Sequence, residues 1–297
     1  MKARVSKVLV LVTLLMGSLF FAGCGLFWPP VRGSGEVVTV QSSVLSGQPF
    51  SKLEVASSFY VNIKQGESYS VDIKVDKNIE PYLVTERKGD SLYIGLLPVR
   101  LIGVMTIRAE VTVPSLNELR LSGRTSGILD GFKVDGEMEI KLSGASKLSW
   151  KNGQVNGALL IKMSGASNAN IDAKATSAQV DLSGGSKLLG ALFVDGDADF
   201  NLSGASFAGM KGLATSSKIK LSGASKMEMK EFCMENADAD LSGASYSELH
   251  VQGSLKASLS GASRLLYTGE PKLDSIRTSG ASRILQSNGA DNASGSE

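Results

Sequence analysis

Leu221-Ser222-Gly223-Ala224-Ser225 is one of a series of near-identical phrases, an apolar residue followed by Ser-Gly-Ala-Ser. Other copies begin at Leu142, Met163, Leu182, Leu202, Leu241, Leu259 and Thr278, with Gly185 replacing the alanine in the Leu182 copy. A looser first copy reads Leu121-Ser122-Gly123-Arg124-Thr125. Successive starts are 21, 21, 19, 20, 19, 20, 18 and 19 residues apart. A nearly fixed period with one or two residues of slack is the signature of a repeat architecture whose loops vary in length.

Upstream of each phrase apolar residues alternate with polar ones, as in Met138, Ile140, Leu142 and in Ala198, Phe200, Leu202. Downstream the second and fourth residues are usually apolar as well, as in Leu148 and Trp150 or Leu265 and Tyr267; Gly190, Ser247 and Gln286 break that rule. A period of two means strands with one buried face, so each repeat reads as strand, tight corner, strand and a looser return. No window keeps the spacing of an amphipathic helix, and the Leu and Asn ladder of a leucine-rich repeat is missing. An all-β unit of this length cannot bury its apolar face alone. Successive units must stack as coils about 4.8 Å apart, giving a parallel β-helix some 40 Å long over nine copies. Crossover handedness favours the right-handed form. The phrase glycine supplies a positive φ or a side-chain-free corner, the alanine is expected where space is tight, and the serine hydroxyls can bond from coil to coil.

This all-β chain, with Ser-Gly-Ala-Ser coils behind a β-rich N-terminal half and a lipoprotein-type leader, resembles the head GIN domain family of autotransporter-type adhesins over about residues 36 to 286. The Gly-Ile-Asn triplet that names that family does not occur in this chain. The resemblance implies a β-helix and an envelope location; the adhesin label follows the fold, and the family brings no catalytic residues to transfer.

The leader has Lys2, Arg4 and Lys7 before an apolar run from Val8 to Phe21, too short to span a bilayer as a helix. Phe21-Ala22-Gly23-Cys24 then matches a lipobox, so residues 1–23 are expected to be a signal peptide and Cys24 a lipidated N-terminus anchored in a membrane; an ordinary cleaved signal with an incidental cysteine is the alternative. Gly25 is not the Asp that favours inner-membrane retention, which points to the outer membrane if the organism has one. Residues 24–35, with Pro29 and Pro30, read as a tether. Residues 36–115 carry alternating runs such as Val71, Ile73, Val75 and Ile107, Ala109, Val111, with turns at Gly66-Glu67-Ser68 and Lys88-Gly89-Asp90. They lack the phrase and are expected to be irregular opening coils that cap the stack, or else a sandwich-like cap. Asn78 is expected to cap a single helical turn ending near Leu83. Residues 116–286 are the repeats and 287–297 a polar, disordered tail.

Without the signal the chain has 28 basic against 29 acidic groups, a balance that excludes nucleic-acid binding by bulk charge. Cys233 then has no partner and is expected to pack as a small hydrophobe. His250 is the only histidine, so a Ser-His-Asp triad or a multi-histidine metal site would depend on that one residue, and no Gly-Ala-Ser extends to a nucleophile elbow. No cofactor is expected. A polysaccharide lyase or hydrolase on a β-helix is the enzymatic alternative, needing clustered acids on neighbouring coils. Aligned by the phrase, the column three residues before it alternates in sign from Asp199 through Lys218, Asp238 and Lys256, a pattern that predicts ion pairs along the ladder. The reading is therefore a non-enzymatic binding, adhesion or scaffolding protein of the envelope.

The column after the phrase is the candidate binding stripe: Lys147, Asn168, Lys187, Phe207, Lys226, Tyr246, Arg264 and Arg283. If the coils stack in register, these side chains form one outward edge on which an exposed Phe207 lies between cations. Such an edge suits an anionic glycan or an anionic membrane surface, against the plainer alternative of a solvated face. A cap is expected at the N-terminal end and none after Ile284 and Leu285, so self-association through the last coil is a further expectation.

Overall fold

The computed structural model describes residues 29–40 and 48–287. Cys24, the signal segment 1–23, the start of the tether and the tail beyond residue 287 lie outside the described residues. The described residues form strands joined by tight turns, with one short 3-10 turn at Glu80–Tyr82. None of their helices is long and apolar enough to cross a membrane.

The repeats wind into a parallel solenoid. Met138–Leu142 lies between Glu118–Leu121 and the second half of Lys147–Met163, and each later coil adds one further parallel rung as far as Lys272–Thr278. The return was expected to be loose. Instead the strand after each corner commonly runs on into the strand before the next, as in the continuous Lys226–Leu241, so the return is laddered as well, with register shifts at the bends. Inward residues make one continuous core in which Trp150, Phe200 and Phe232 are fully buried, the two phenylalanines meeting edge to face at 5.9 Å.

The corner explains the phrase. Gly223 has φ +71, and a Cβ there would stand 2.6 Å from the carbonyl oxygen of Gly204 on the preceding coil. The Ala224 N–H donates to that same oxygen at 2.8 Å, and the pattern repeats from Ala166 to Ala281. The tight spot is therefore the glycine; Ala224 and its equivalents are exposed, so crowding does not account for the alanine. The closing serine is buried. Ser146 Oγ donates to the Ser143 carbonyl at 3.0 Å and to Leu121 on the preceding coil at 3.1 Å, so hydroxyls bond to carbonyls rather than to one another.

The N-terminal half supplies one hidden coil and a cap. Lys52–Val55 and Tyr60–Gln65 flank the corner Ala56-Ser57-Ser58-Phe59 and pair in parallel with Glu118–Leu121 and Ser126–Asp130. Their other edges pair with Ser91–Leu96 and Ile107–Val113, so a segment later in the chain lies outside an earlier one. The antiparallel strands Leu83–Lys88, Ser70–Asp76 and Val37–Val40 then cover this end. Residues 29–35 do not hang free as a tether: Pro30–Val31 pairs with Arg100–Leu101. Asn78 does not cap a helix, because its side chain bonds Arg32 and Ser34 instead. Ser287 still donates to the Tyr267 carbonyl, so the ladder runs into the first residue of the expected tail.

Candidate functional site

The stripe is assembled by register. Lys147 pairs with Asn168, Asn168 with Lys187, Lys187 with Phe207, Phe207 with Lys226, Lys226 with Tyr246, Tyr246 with Arg264 and Arg264 with Arg283, in one unbroken column. Lys187 Nζ sits 5.3 Å from the Phe207 ring centre and Lys226 Nζ 6.0 Å, while Lys226 also lies 5.4 Å from the Tyr246 ring. These are cation–π distances, each attraction worth roughly 0.5–1 kcal/mol at an exposed site. Phe207 is half-buried, not exposed as expected, because its ring folds back over Gly209, where a Cβ would come within 3.0 Å of it. Lys226 is further held by Glu228 at 2.5 Å. The Tyr246 hydroxyl donates to Glu248, and burial together with that carboxylate pushes its pKa up, so it remains a neutral donor. Lys147, Lys187, Arg264 and Arg283 have no described carboxylate within 4.0 Å and are exposed.

Beside Phe207 the surface dips into a depression of about 430 Å³ walled by Phe207, Leu189, Asp172 and Glu228. Glycine makes the dip: Gly190 has φ +130 and a Cβ there would reach the Ile171 carbonyl at 2.1 Å. An aromatic wall, an ammonium rim and nearby carboxylates are the groups that grip a sugar ring by stacking and hydrogen bonding. The column also extends beyond the sequence expectation, through Ser126 to Tyr60 and Arg108, whose guanidinium lies 5.9 Å from the Tyr60 ring. Only the alternation of Phe59, Val61 and Ile63, which matches the coils downstream, signalled that Tyr60 belongs to it.

Other acids lie in the column three residues before the phrase. Lys141 is shared by Glu118 at 2.9 Å and Glu139 at 2.6 Å, Glu139 also meets Lys162 at 2.9 Å, and Arg120 bonds Glu118. Burial alone would raise both glutamates, but the hydrogen bonds from these cations outweigh it and hold both pKa values below the ordinary 4.5. The ion pairs expected from Asp199 through Lys256 do not form within 4.0 Å. Asp199, Lys218, Asp238 and Lys256 do share one face, but the short aspartate side chain does not reach along the ladder as glutamate does. Asp199 accepts the Lys218 N–H at 3.2 Å instead. His250 Nδ1 lies 2.8 Å from Thr268 Oγ1, and Cys233, in register with His250, is half-buried and free. Among the described residues no three His, Cys, Asp or Glu side chains gather as a metal site would require.

Several solved structures share the fold. A putative adhesin from Parabacteroides merdae superposes with a TM-score of 0.63 at 15% identity, covering 87% of this chain and 99% of that one. A putative lipid binding protein from Parabacteroides distasonis gives 0.64 at 16%, covering 87% and 100%. A putative adhesin from the same species gives 0.58 at 17%, covering 87% and 98%. No curated protein matches the sequence. The family model "Putative auto-transporter adhesin, head GIN domain" matches residues 49–211 and 191–271, which together take in the hidden coil, two of the three capping strands and nearly all of the phrase repeats. The chain therefore belongs to the head GIN domain family.

Proposed function

We propose that the protein is a lipid-anchored, non-catalytic adhesion module of the cell envelope, held through Cys24, whose stripe from Lys147 to Arg283 binds an anionic glycan. Membership of an adhesin-type family supports the envelope and adhesion part of this reading. The observation that carries the glycan assignment is the column in which Lys187, Phe207, Lys226 and Tyr246 alternate cation and ring in strict register. Rings stack on the apolar faces of sugars, and cations spaced by two coils, about 10 Å, meet acidic substituents repeated along a chain. A carboxylate kept ionised by flanking cations, as Glu118 and Glu139 are, suits a structural ladder and not a general acid.

The test is binding to a panel of acidic and neutral polysaccharides by the wild-type chain, a Lys187→Glu/Lys226→Glu/Arg264→Glu variant and Phe207→Ser. Wild-type binding to acidic polymers that weakens at least tenfold as salt is raised, and falls in both variants, supports the assignment. Equal binding by all three folded proteins removes it, and appearance of new reducing ends or unsaturated sugars contradicts the non-catalytic reading.

A further inference from the structure

The capped end carries a second surface, unlike the stripe in chemistry. The residues from Leu96 to Arg108 read Leu-Leu-Pro-Val-Arg-Leu-Ile-Gly-Val-Met-Thr-Ile-Arg, with no acid among them, and residues 29–35 contain none either. The first of these segments turns at Gly103, φ +82, and presents Val104 at 97% exposure, with Leu97 at 51% on its shoulder. Arg32, Arg100, Arg108 and Arg124 are all exposed around it, and none has a described carboxylate within 4.0 Å. Asp76, beneath the loop, is buried and accepts the Thr106 N–H at 3.2 Å. Between loop and solenoid lies a cleft of about 640 Å³ lined by Tyr60, Leu101, Met105, Ile107, Arg108 and Arg124.

Arg124 is the anomaly that singles this place out. It takes the phrase position that later coils fill with a small residue, and it does so at φ +70, a left-handed conformation that a non-glycine residue adopts only at a cost. Its side chain lines the cleft with Arg108.

We propose that this end of the solenoid docks onto an anionic lipid bilayer: Val104 and Leu97 enter the boundary between headgroups and acyl chains, while Arg100, Arg108 and Arg124 contact lipid phosphates. An apolar tip has no use for a polar polymer, and a collar of guanidiniums with no described carboxylate within 4.0 Å matches a layer of phosphates under which apolar surface can be buried. The chain enters the body on this face, because Pro30–Val31 pairs with Arg100–Leu101 and Ile102 donates to the Val31 carbonyl at 3.0 Å. A lipid at Cys24 would therefore leave the protein at the docking face, but the docking residues act whether or not that lipid is present.

The experiment uses the full chain on vesicles of phosphatidylcholine alone and of phosphatidylcholine mixed with phosphatidylglycerol. Flotation reads whether the chain is anchored, and amide hydrogen exchange over residues 97–105 reads docking. Docking predicts exchange at least tenfold slower on the mixed vesicles than on the neutral ones, and loss of that slowing in Val104→Asp while the chain still floats. Replacing Arg108 by Glu is expected to reduce the docked population about fivefold or more. A chain that floats with unchanged exchange in the loop overturns the docking and leaves the anchor standing; a chain that does not float, with unchanged exchange, overturns both. Equal slowing on neutral vesicles, or the same slowing from inorganic phosphate or from a second protein without lipid, overturns the assignment to an anionic bilayer.

Discussion

Replacing Gly223 by Val tests the corner at its tightest contact. The substitution places a β-branched side chain at φ +71, a strain of about 1–3 kcal/mol. It also drives a Cβ to 2.6 Å from the Gly204 carbonyl, the acceptor of the Ala224 N–H at 2.8 Å. Relieving that contact means moving the corner outward and weakening a coil-to-coil hydrogen bond worth about 0.5–1.5 kcal/mol. The sum is about 1.5–4.5 kcal/mol, which for a chain of this size lowers the melting temperature by roughly 3–18 °C. Ala224→Ser, one position on and exposed, is the matched control and should shift it by about a degree. Thermal unfolding followed by circular dichroism, together with urea titration, reads both variants. Equal melting temperatures for Gly223→Val and the wild type would refute the argument that the glycine is there for its φ and for the approach of the next coil.

The closing serines should divide by their partners. Ser263→Ala, which loses bonds to Ser260 and Leu241, should cost about 0.5–1.5 kcal/mol in urea unfolding, whereas Ser245→Ala, whose hydroxyl is buried without a partner, should be neutral or stabilising. Glu118 and Glu139 have folded pKa values below 4.5, so their stabilisation is present above the unfolded value and is lost as pH falls through the folded one; Lys141→Met should move the acid-unfolding midpoint upward, and an unmoved midpoint would contradict the ladder. Phe200→Ala, which empties a fully buried site against Phe232, should cost about 3–5 kcal/mol in the same urea assay. The last coil ends on the strands Lys272–Thr278 and Arg283–Gln286, which among the described residues are paired on one edge only, with Leu273 and Leu285 each 49% exposed. Concentration-dependent association through that edge is the expected outcome in light scattering, and a monomer at millimolar concentration would oppose it.

The solenoid was legible because its signal is repeated. Phrase spacing fixed which residues stack, and the column from Lys147 to Arg283 is the register observed. What escaped was whatever occurred once. The coil at 52–65 carries Ser57 and Ser58 at positive φ where a glycine marks the other corners, and Phe59 where they have serine or threonine, so no phrase announced it. Its neighbour at 91–113 stacks out of chain order, which no period encodes. The ion ladder was misplaced because a column of alternating sign ignores reach: pairing follows the long glutamates 118 and 139, not the short aspartates 199 and 238. Phe207 was correctly put among cations, yet its half-buried pose depends on Gly209, a neighbour whose effect is visible only in three dimensions. Arg124 stood in the first phrase as an oddity, and only the fold gave it the company of Arg108 and Tyr60.

Lysine-reactive footprinting of the folded chain with and without an acidic polysaccharide tests the stripe most directly, because the protein carries its own controls. Lys147, Lys187 and Lys226 lie on the column after the corner, whereas Lys218 and Lys256 are in register on the column before it. Binding along the stripe predicts protection of the first three and unchanged labelling of the other two. Equal protection of both sets, or protection of Lys218 and Lys256 alone, would contradict the assignment of the glycan to this edge.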